Sequence, residues 1–141
     1  MTIKEVSEKY GISQDTLRYY EKIGAIPPVT RTAGGVRNYT EADIGWVENA
    51  VCMRSAGLPV DVIAEYCRLY SMGDSTISAR LKLLADQRQK LIAQKEQLEA
   101  EIARLDYKIE RYEIAEKTGV LSWEEERIKL CILKISIRQT M

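Results

Sequence analysis

The sequence contains no histidine among its 141 residues. That removes the commonest metal ligand and the commonest general base at neutral pH. Its three cysteines, Cys52, Cys67 and Cys131, are scattered and odd in number, which excludes a disulfide framework. There is no Cys-x-x-Cys, no glycine-rich phosphate loop and no Gly-x-Ser-x-Gly. No set of base, nucleophile and oxyanion donors can be assembled, so neither an enzyme nor a bound metal or cofactor is expected. No stretch approaches the ~18 apolar residues of a membrane span. The opening residues Met1-Thr2-Ile3-Lys4-Glu5 lack an apolar signal region, so a cytoplasmic protein without a membrane partner is expected. An excess of charge is also missing: 21 basic residues face 21 acidic ones. Many nucleic-acid binders are strongly basic, so the local distribution of charge has to decide that class.

What is present is helical punctuation. Thr2 with Glu5 forms a candidate capping box for a short helix striped by Ile3, Val6 and Tyr10, and Gly11 stops it. Ser13 is a candidate N-cap for a second helix reaching about Gly24, with Ile12 and Leu17 placed as a hydrophobic staple. Two short helices around Gly11-Ile12-Ser13 make a helix-turn-helix pattern. Pro27-Pro28 ends helical structure. The stretch from Val29 to Tyr39, with Gly34-Gly35 inside it, reads as a small hairpin or wing. Thr40 and Asp43 form a second capping box, opening a third helix through Ala56 with Ile44, Val47 and Val51 on one face. A fourth helix, striped by Ile63, Tyr66, Cys67 and Tyr70, runs to about Met72.

From Asp74 to about Lys117 there is neither proline nor glycine. Ile77, Leu84, Leu91, Leu98, Leu105 and Tyr112 recur every seven residues. Leu81, Ile102 and Ile109 fill part of a second seam, which Arg88 and Lys95 interrupt. This is a coiled-coil pattern about 65 Å long, and its seam needs a partner, most simply a second copy. Residues 74–95 are net positive by three and residues 96–117 net negative by three. Antiparallel pairing sets these halves against each other and brings Leu91 to Leu98 of the other chain, although exposed pairs bias orientation only weakly. The expected architecture is mainly α: a head at 1–73, a dimerisation helix at 74–117 and a tail at 118–141. In the tail, Ser122 with Glu125 could cap a short helix, and Ile128 to Ile137 could be helix or edge strand.

The second helix offers Thr16, Arg18, Tyr19 and Lys22 as reaching groups while Leu17, Tyr20 and Ile23 face inward. The wing adds Arg31, Arg37, Asn38 and Tyr39. Arginine and tyrosine hydroxyls suit phosphate contacts, and a dimer doubles them and steepens the salt dependence. The plain alternative is solvated charge on a small helical domain.

The run Thr16-Leu17-Arg18-Tyr19-Tyr20-Glu21-Lys22-Ile23-Gly24, then Arg31, then Gly35-Val36-Arg37-Asn38-Tyr39, resembles the MerR family signature. Gly57-Leu58-Pro59 and Ile63 fall where that family opens its fourth helix. The resemblance is dense over 1–72, continues in pattern to about 117 and does not cover the tail. Ala25 and Val36 stand where the family has larger apolar residues. The resemblance implies a winged helix-turn-helix head on an antiparallel coiled-coil dimer, bound to a pseudo-palindromic promoter. It implies activation by bending and untwisting that DNA, which serves RNA polymerase indirectly. By carry-over, Arg18, Tyr19, Arg37 and Tyr39 would contact DNA.

Residues 118–127 hold no cysteine or histidine, and Cys131 alone makes a poor metal site. Cys67 lies in the middle of an apolar stripe and reads as a core residue. Cys52 lies about 80° round the third helix from Ile44, at the stripe's edge. With Gly73-Asp74-Ser75-Thr76-Ile77, Arg80-Leu81, Gln87-Arg88 and Asp106-Tyr107-Lys108-Ile109, Cys52 resembles the aldehyde- or nitrosothiol-responsive branch of the family. The resemblance implies a sensor of small electrophiles; a packing cysteine is the alternative. A pocket for a small aromatic or hydrophobic ligand between head and coiled coil, lined by Tyr66, Tyr70, Tyr107, Tyr112 and Trp123, is a second sensor reading. A coiled-coil adaptor that binds no DNA is the rival from another class.

Overall fold

The computed structural model describes residues 1–123. Within them lie five α-helices: α1 (Ile3–Tyr10), α2 (Gln14–Ile23), α3 (Glu41–Ser55), α4 (Val60–Ser71) and α5 (Ile77–Thr118). A single 3-10 turn, Asp74–Thr76, precedes α5. The expected tail features beyond Trp123, including Glu125, Cys131 and the segment 128–137, lie outside the described residues. Among the described residues no helix is long and apolar enough to cross a membrane.

The helix boundaries follow from their caps. Thr2 accepts the Glu5 amide and Glu5 accepts the Thr2 amide, closing the box at α1. The Ser13 hydroxyl accepts the Thr16 amide at 3.0 Å, opening α2. Thr40 and Asp43 repeat the reciprocal box at α3. These bonds satisfy amides that have no partner inside their helices. Gly11 and Gly24 end α1 and α2 at φ 66° and 83°, a left-handed conformation that a side chain resists.

The chain divides into two compact units, residues 1–88 and residues from 89 onward. In the first, Val6, Leu17, Tyr20, Ala25, Ile26, Val29, Tyr39, Val47, Ala50, Leu58 and Ile63 bury together as one cluster. Leu17 from α2, Val6 from α1, Val47 from α3 and Ile63 from α4 are all fully buried, so each helix of the head contributes an anchor. Cys67 is buried, as its place in the stripe predicts, and burial pushes its thiol pKa up. Ala25 is fully enclosed, whereas Val36 stands exposed on the wing.

The long helix begins at Ile77 rather than at the expected Asp74. Gly73, at φ 89°, breaks the chain direction. The buried Thr76 hydroxyl then donates to the carbonyls of Leu69 and Gly73 at 2.6 and 2.8 Å. Side chain-to-backbone bonds of this kind compete with helix at its entrance. Arg80 continues the joint: it donates to Thr76 and Gly73, and its guanidinium lies 4.9 Å from the Tyr70 ring centroid.

Along α5 no side chain is buried. Ile77, Leu81, Leu84, Leu91, Leu98, Ile102, Leu105, Ile109 and Tyr112 are all exposed, Leu81 by 67%. In the second unit the chain turns at Gly119, φ 76°, and Trp123 comes within 6.3 Å of Tyr107 and 6.0 Å of Tyr112, ring centre to ring centre. Arg111 fixes that turn by donating to the Ser122 carbonyl and hydroxyl.

Candidate nucleic-acid interface

Helix α2 has two chemically distinct faces. Leu17 and Tyr20 are buried, and Ile23 is half-buried. Arg18, Tyr19 and Lys22 are exposed on the other side, with half of Tyr19 open to solvent. Arg18 bonds along its own helix, with Asp15 at 3.0 Å and Gln14 at 3.4 Å. Such exposed i,i+3 pairing is weak, so a phosphate can displace it. Thr16 is half-buried, and its hydroxyl sits 2.8 Å from that of Ser13. It therefore belongs to the cap as much as to the surface.

The wing is smaller than a regular hairpin. One antiparallel bridge pairs Arg31 with Arg37. Inside it, Thr32 donates to Val36 at 2.8 Å and Gly35 to Thr32 at 2.9 Å, while outside it Asn38 donates to Thr30 at 2.7 Å. Gly35 takes φ 82° at the tip, where a β-carbon would be strained. Arg31 and Asn38 are exposed, and Arg37 is half-buried. Arg31 curls onto the tip, donating to the Gly35 carbonyl at 2.9 Å.

Tyr39 departs from the expectation of an accessible phosphate donor. The residue is 2% exposed and belongs to the head cluster, and its amide donates to the Met1 carbonyl, tying the end of the wing to the chain just ahead of α1. Burial raises the pKa of its phenol. Among the described residues its hydroxyl is the one buried side-chain polar atom without a hydrogen-bond partner.

Two carboxylates hold the wing: Glu21, to which sequence reasoning assigned no role, and Asp43, which it placed only in the cap of α3. Glu21, near the end of α2, accepts the Val29 amide at 2.8 Å and Arg37 Nε at 2.7 Å, with Arg31 at 4.0 Å. Burial alone would raise its pKa. The Arg37 bond, the Val29 amide and the charges of both arginines outweigh burial, and the net shift is downward. Asp43, in the first turn of α3, accepts the Thr30 and Thr40 amides and the Thr40 hydroxyl. Burial opposes ionisation there too, and those bonds overcome it to lower the pKa. One signal pointed at Glu21: it falls one residue past Tyr20, on the inward side of α2, where a carboxylate requires partners.

Cys52 is exposed on α3, away from the Leu17–Val47 core. The aromatic residues proposed as a pocket fall into two groups. Tyr66 meets Tyr70 at 6.3 Å between ring centroids, and Tyr70 in turn meets Trp46, absent from the sequence-based set, edge-on at 5.0 Å. Tyr107 and Tyr112 meet Trp123.

A helix with a buried apolar face and an exposed Arg-Tyr-Lys face, flanked by an arginine-bearing wing, defines the winged helix-turn-helix class of DNA-binding heads. Comparison with known proteins narrows the class. The family profile described as MerR HTH family regulatory protein matches residues 1–69. The HTH-type transcriptional regulator AdhR of Bacillus subtilis is 49% identical over 92 residues, 65% of this chain and 66% of that protein. A structure described as a MerR family transcriptional regulator from Listeria monocytogenes is 36% identical, covering 95% of this chain and 98% of that one at a TM-score of 0.71. The structure of HiNmlR, described as a MerR family regulator lacking the sensor domain and bound to promoter DNA, is 32% identical. It covers 85% of this chain and 95% of that one, at a TM-score of 0.64. This chain belongs to the MerR family of helix-turn-helix transcriptional regulators and is not an enzyme.

Proposed function

We propose that the protein acts in the cytoplasm as a homodimer on a pseudo-palindromic promoter and activates transcription by distorting that DNA. The observation that carries this is the exposed seam of α5 combined with the polar face of α2. The seam leaves Leu84, Leu91, Leu98 and Leu105 without cover in one chain, and apolar rows of that length mark an interface. The opposite net charges of residues 74–95 and 96–117 favour antiparallel pairing, which presents two α2 helices to two half-sites. That a relative of similar fold is described as bound to promoter DNA supports the reading.

On each head, Arg18, Tyr19 and Lys22 meet the groove and its phosphates, with Thr16 beside them. Arg31, Arg37 and Asn38 of the wing meet the flanking backbone. The buried Tyr39 hydroxyl reaches a phosphate only if the wing shifts on binding. Enrichment of a randomised duplex pool by the purified protein, followed by titration at several salt concentrations, tests the assignment. An inverted repeat and a steep salt slope are expected. A shallow slope without sequence preference would instead fit a coiled-coil adaptor. Spin labels at Leu91 of the two chains should lie close together; a large separation would overturn the antiparallel register.

The effector reading is a covalent adduct of a small electrophile, such as an aldehyde, on the exposed thiol of Cys52. Accessibility of that thiol favours it. Transcription driven by wild type and by Cys52→Ser is compared with and without a small aldehyde. Equal responses would eliminate Cys52 as the trigger. The grouping of Tyr107, Tyr112 and Trp123 favours a second reading, an aromatic ligand held beside α5. Quenching of tryptophan fluorescence by such a ligand, absent in Trp123→Leu, would support it.

A further inference from the structure

We propose that Glu21 is the positioning residue that sets the wing against the recognition helix, and that both of its carboxylate oxygens are required for this. The inference rests on the DNA-binding reading above. The wing has only a short ladder of its own: one bridge, Arg31 with Arg37, and the Thr32 and Asn38 amides bonding across its legs to Val36 and Thr30. So small a hairpin is marginal by itself, and bonds between its own legs do not set how it sits on the body of the domain. Glu21 supplies what the ladder lacks. Its side chain is only 12% exposed. One oxygen, Oε2, accepts the amide of Val29, where the wing begins. The other, Oε1, accepts Nε of Arg37, on the returning leg. One helical residue therefore holds both legs, and Asp43 of α3 adds a third tie at Thr30.

The chemistry selects a carboxylate of this length. Glutamine offers one acceptor oxygen, and its amide nitrogen would face either the Val29 N–H or the Arg37 Nε–H, both donors. Aspartate is one methylene shorter and cannot keep both bonds from the same backbone position. Glu21 also opposes DNA binding in one respect, because its charge offsets those of Arg31 and Arg37. Positioning and charge therefore predict opposite results when the carboxylate is neutralised. If charge dominates, Glu21→Gln binds every polyanion more tightly. If positioning dominates, it binds its own site less tightly while gaining affinity for polyanions in general.

The test uses the full chain, wild type against Glu21→Gln and Glu21→Asp. The probes are the duplex enriched by wild type, a scrambled duplex of equal length, and heparin. We expect both variants to lose about tenfold in affinity for the enriched duplex. Glu21→Gln alone should be retained longer on heparin and bind the scrambled duplex with a salt slope steeper by about one ion per head. Hydrogen exchange without DNA should speed up at the Val29 amide and across residues 30–38, with the amides of α1 and α3 unchanged. Equal or tighter binding of the enriched duplex by Glu21→Gln would overturn the proposal, leaving Glu21 as a charge screen. Faster exchange throughout the head would overturn it too, in favour of general stabilisation. The exchange measurement needs no DNA. It therefore decides the positioning claim even where wild type ignores every duplex, a result that would sink the DNA-binding reading itself.

Discussion

Between Met1 and Met72 eleven apolar side chains bury in one cluster, while along the 42 residues of α5 none does. The two regions differ in where their apolar residues go. In the head, four short helices wrap round a shared centre, so each stripe meets another. On α5 the stripe repeats every seven residues over 42 residues, and its apolar side chains stay exposed. The free energy that orders the head is internal to one chain. On the proposed dimer, the free energy that covers α5 comes from a second copy.

The largest effect expected on this contrast is in the head core. Leu17→Ala should cost about 3 kcal/mol of head stability, because a fully buried leucine leaves a cavity. Urea unfolding followed by circular dichroism measures it; a loss below about 1 kcal/mol would mean the core is less tightly shared than described. Next comes the seam. On the proposed dimer, Leu91→Asp should shift association towards monomer by roughly a hundredfold, about 2.7 kcal/mol, in analytical ultracentrifugation. The same variant should leave the exchange protection of Val6 and Val47 in the head untouched. If the head unfolds with the seam, the two regions are not energetically separate.

A smaller cost belongs to the caps. Ser13→Ala should destabilise the head by about 1 kcal/mol, since the Thr16 amide loses its acceptor. Acid provides a graded probe of the wing. Glu21 and Asp43 both have pKa values lowered by folding, so their contribution is fully present above the ordinary carboxylate range, about pH 4, and is lost as pH falls through their folded values. Wing amides should therefore lose protection at higher pH than those of the Leu17 core; simultaneous loss would contradict the separate anchoring. The smallest expected change is Cys52→Ser, within about 0.5 kcal/mol of wild type because the side chain is exposed. A larger loss would return Cys52 to a packing role.

Much of this was legible before any coordinates. The caps at Thr2, Ser13 and Thr40, the stops at Gly11 and Gly24 and the seven-residue repeat of α5 are local or periodic features, and local bonding rules read them directly. The outward set Arg18, Tyr19 and Lys22 follows from helical spacing once Leu17 is placed inside. The signals failed where a residue's role depends on a distant partner. Tyr39 looks polar-capable in sequence, but its placement against Met1 turns the ring into the core. Trp46 gained its meaning only when α4 brought Tyr70 to it. The 3-10 entry to α5 depends on the Thr76 hydroxyl finding Leu69 seven residues back.

Sequence alone determined the elements, because a helix is decided by spacing, capping residues and breakers within a few positions of each other. It also determined the seven-residue apolar repeat of α5, which the described residues leave exposed. Only the tertiary structure decided how the wing is held. Glu21, Arg37 and Val29 are far enough apart in the chain that their meeting depends on the loop between them closing over a packed core, and no local rule specifies that closure.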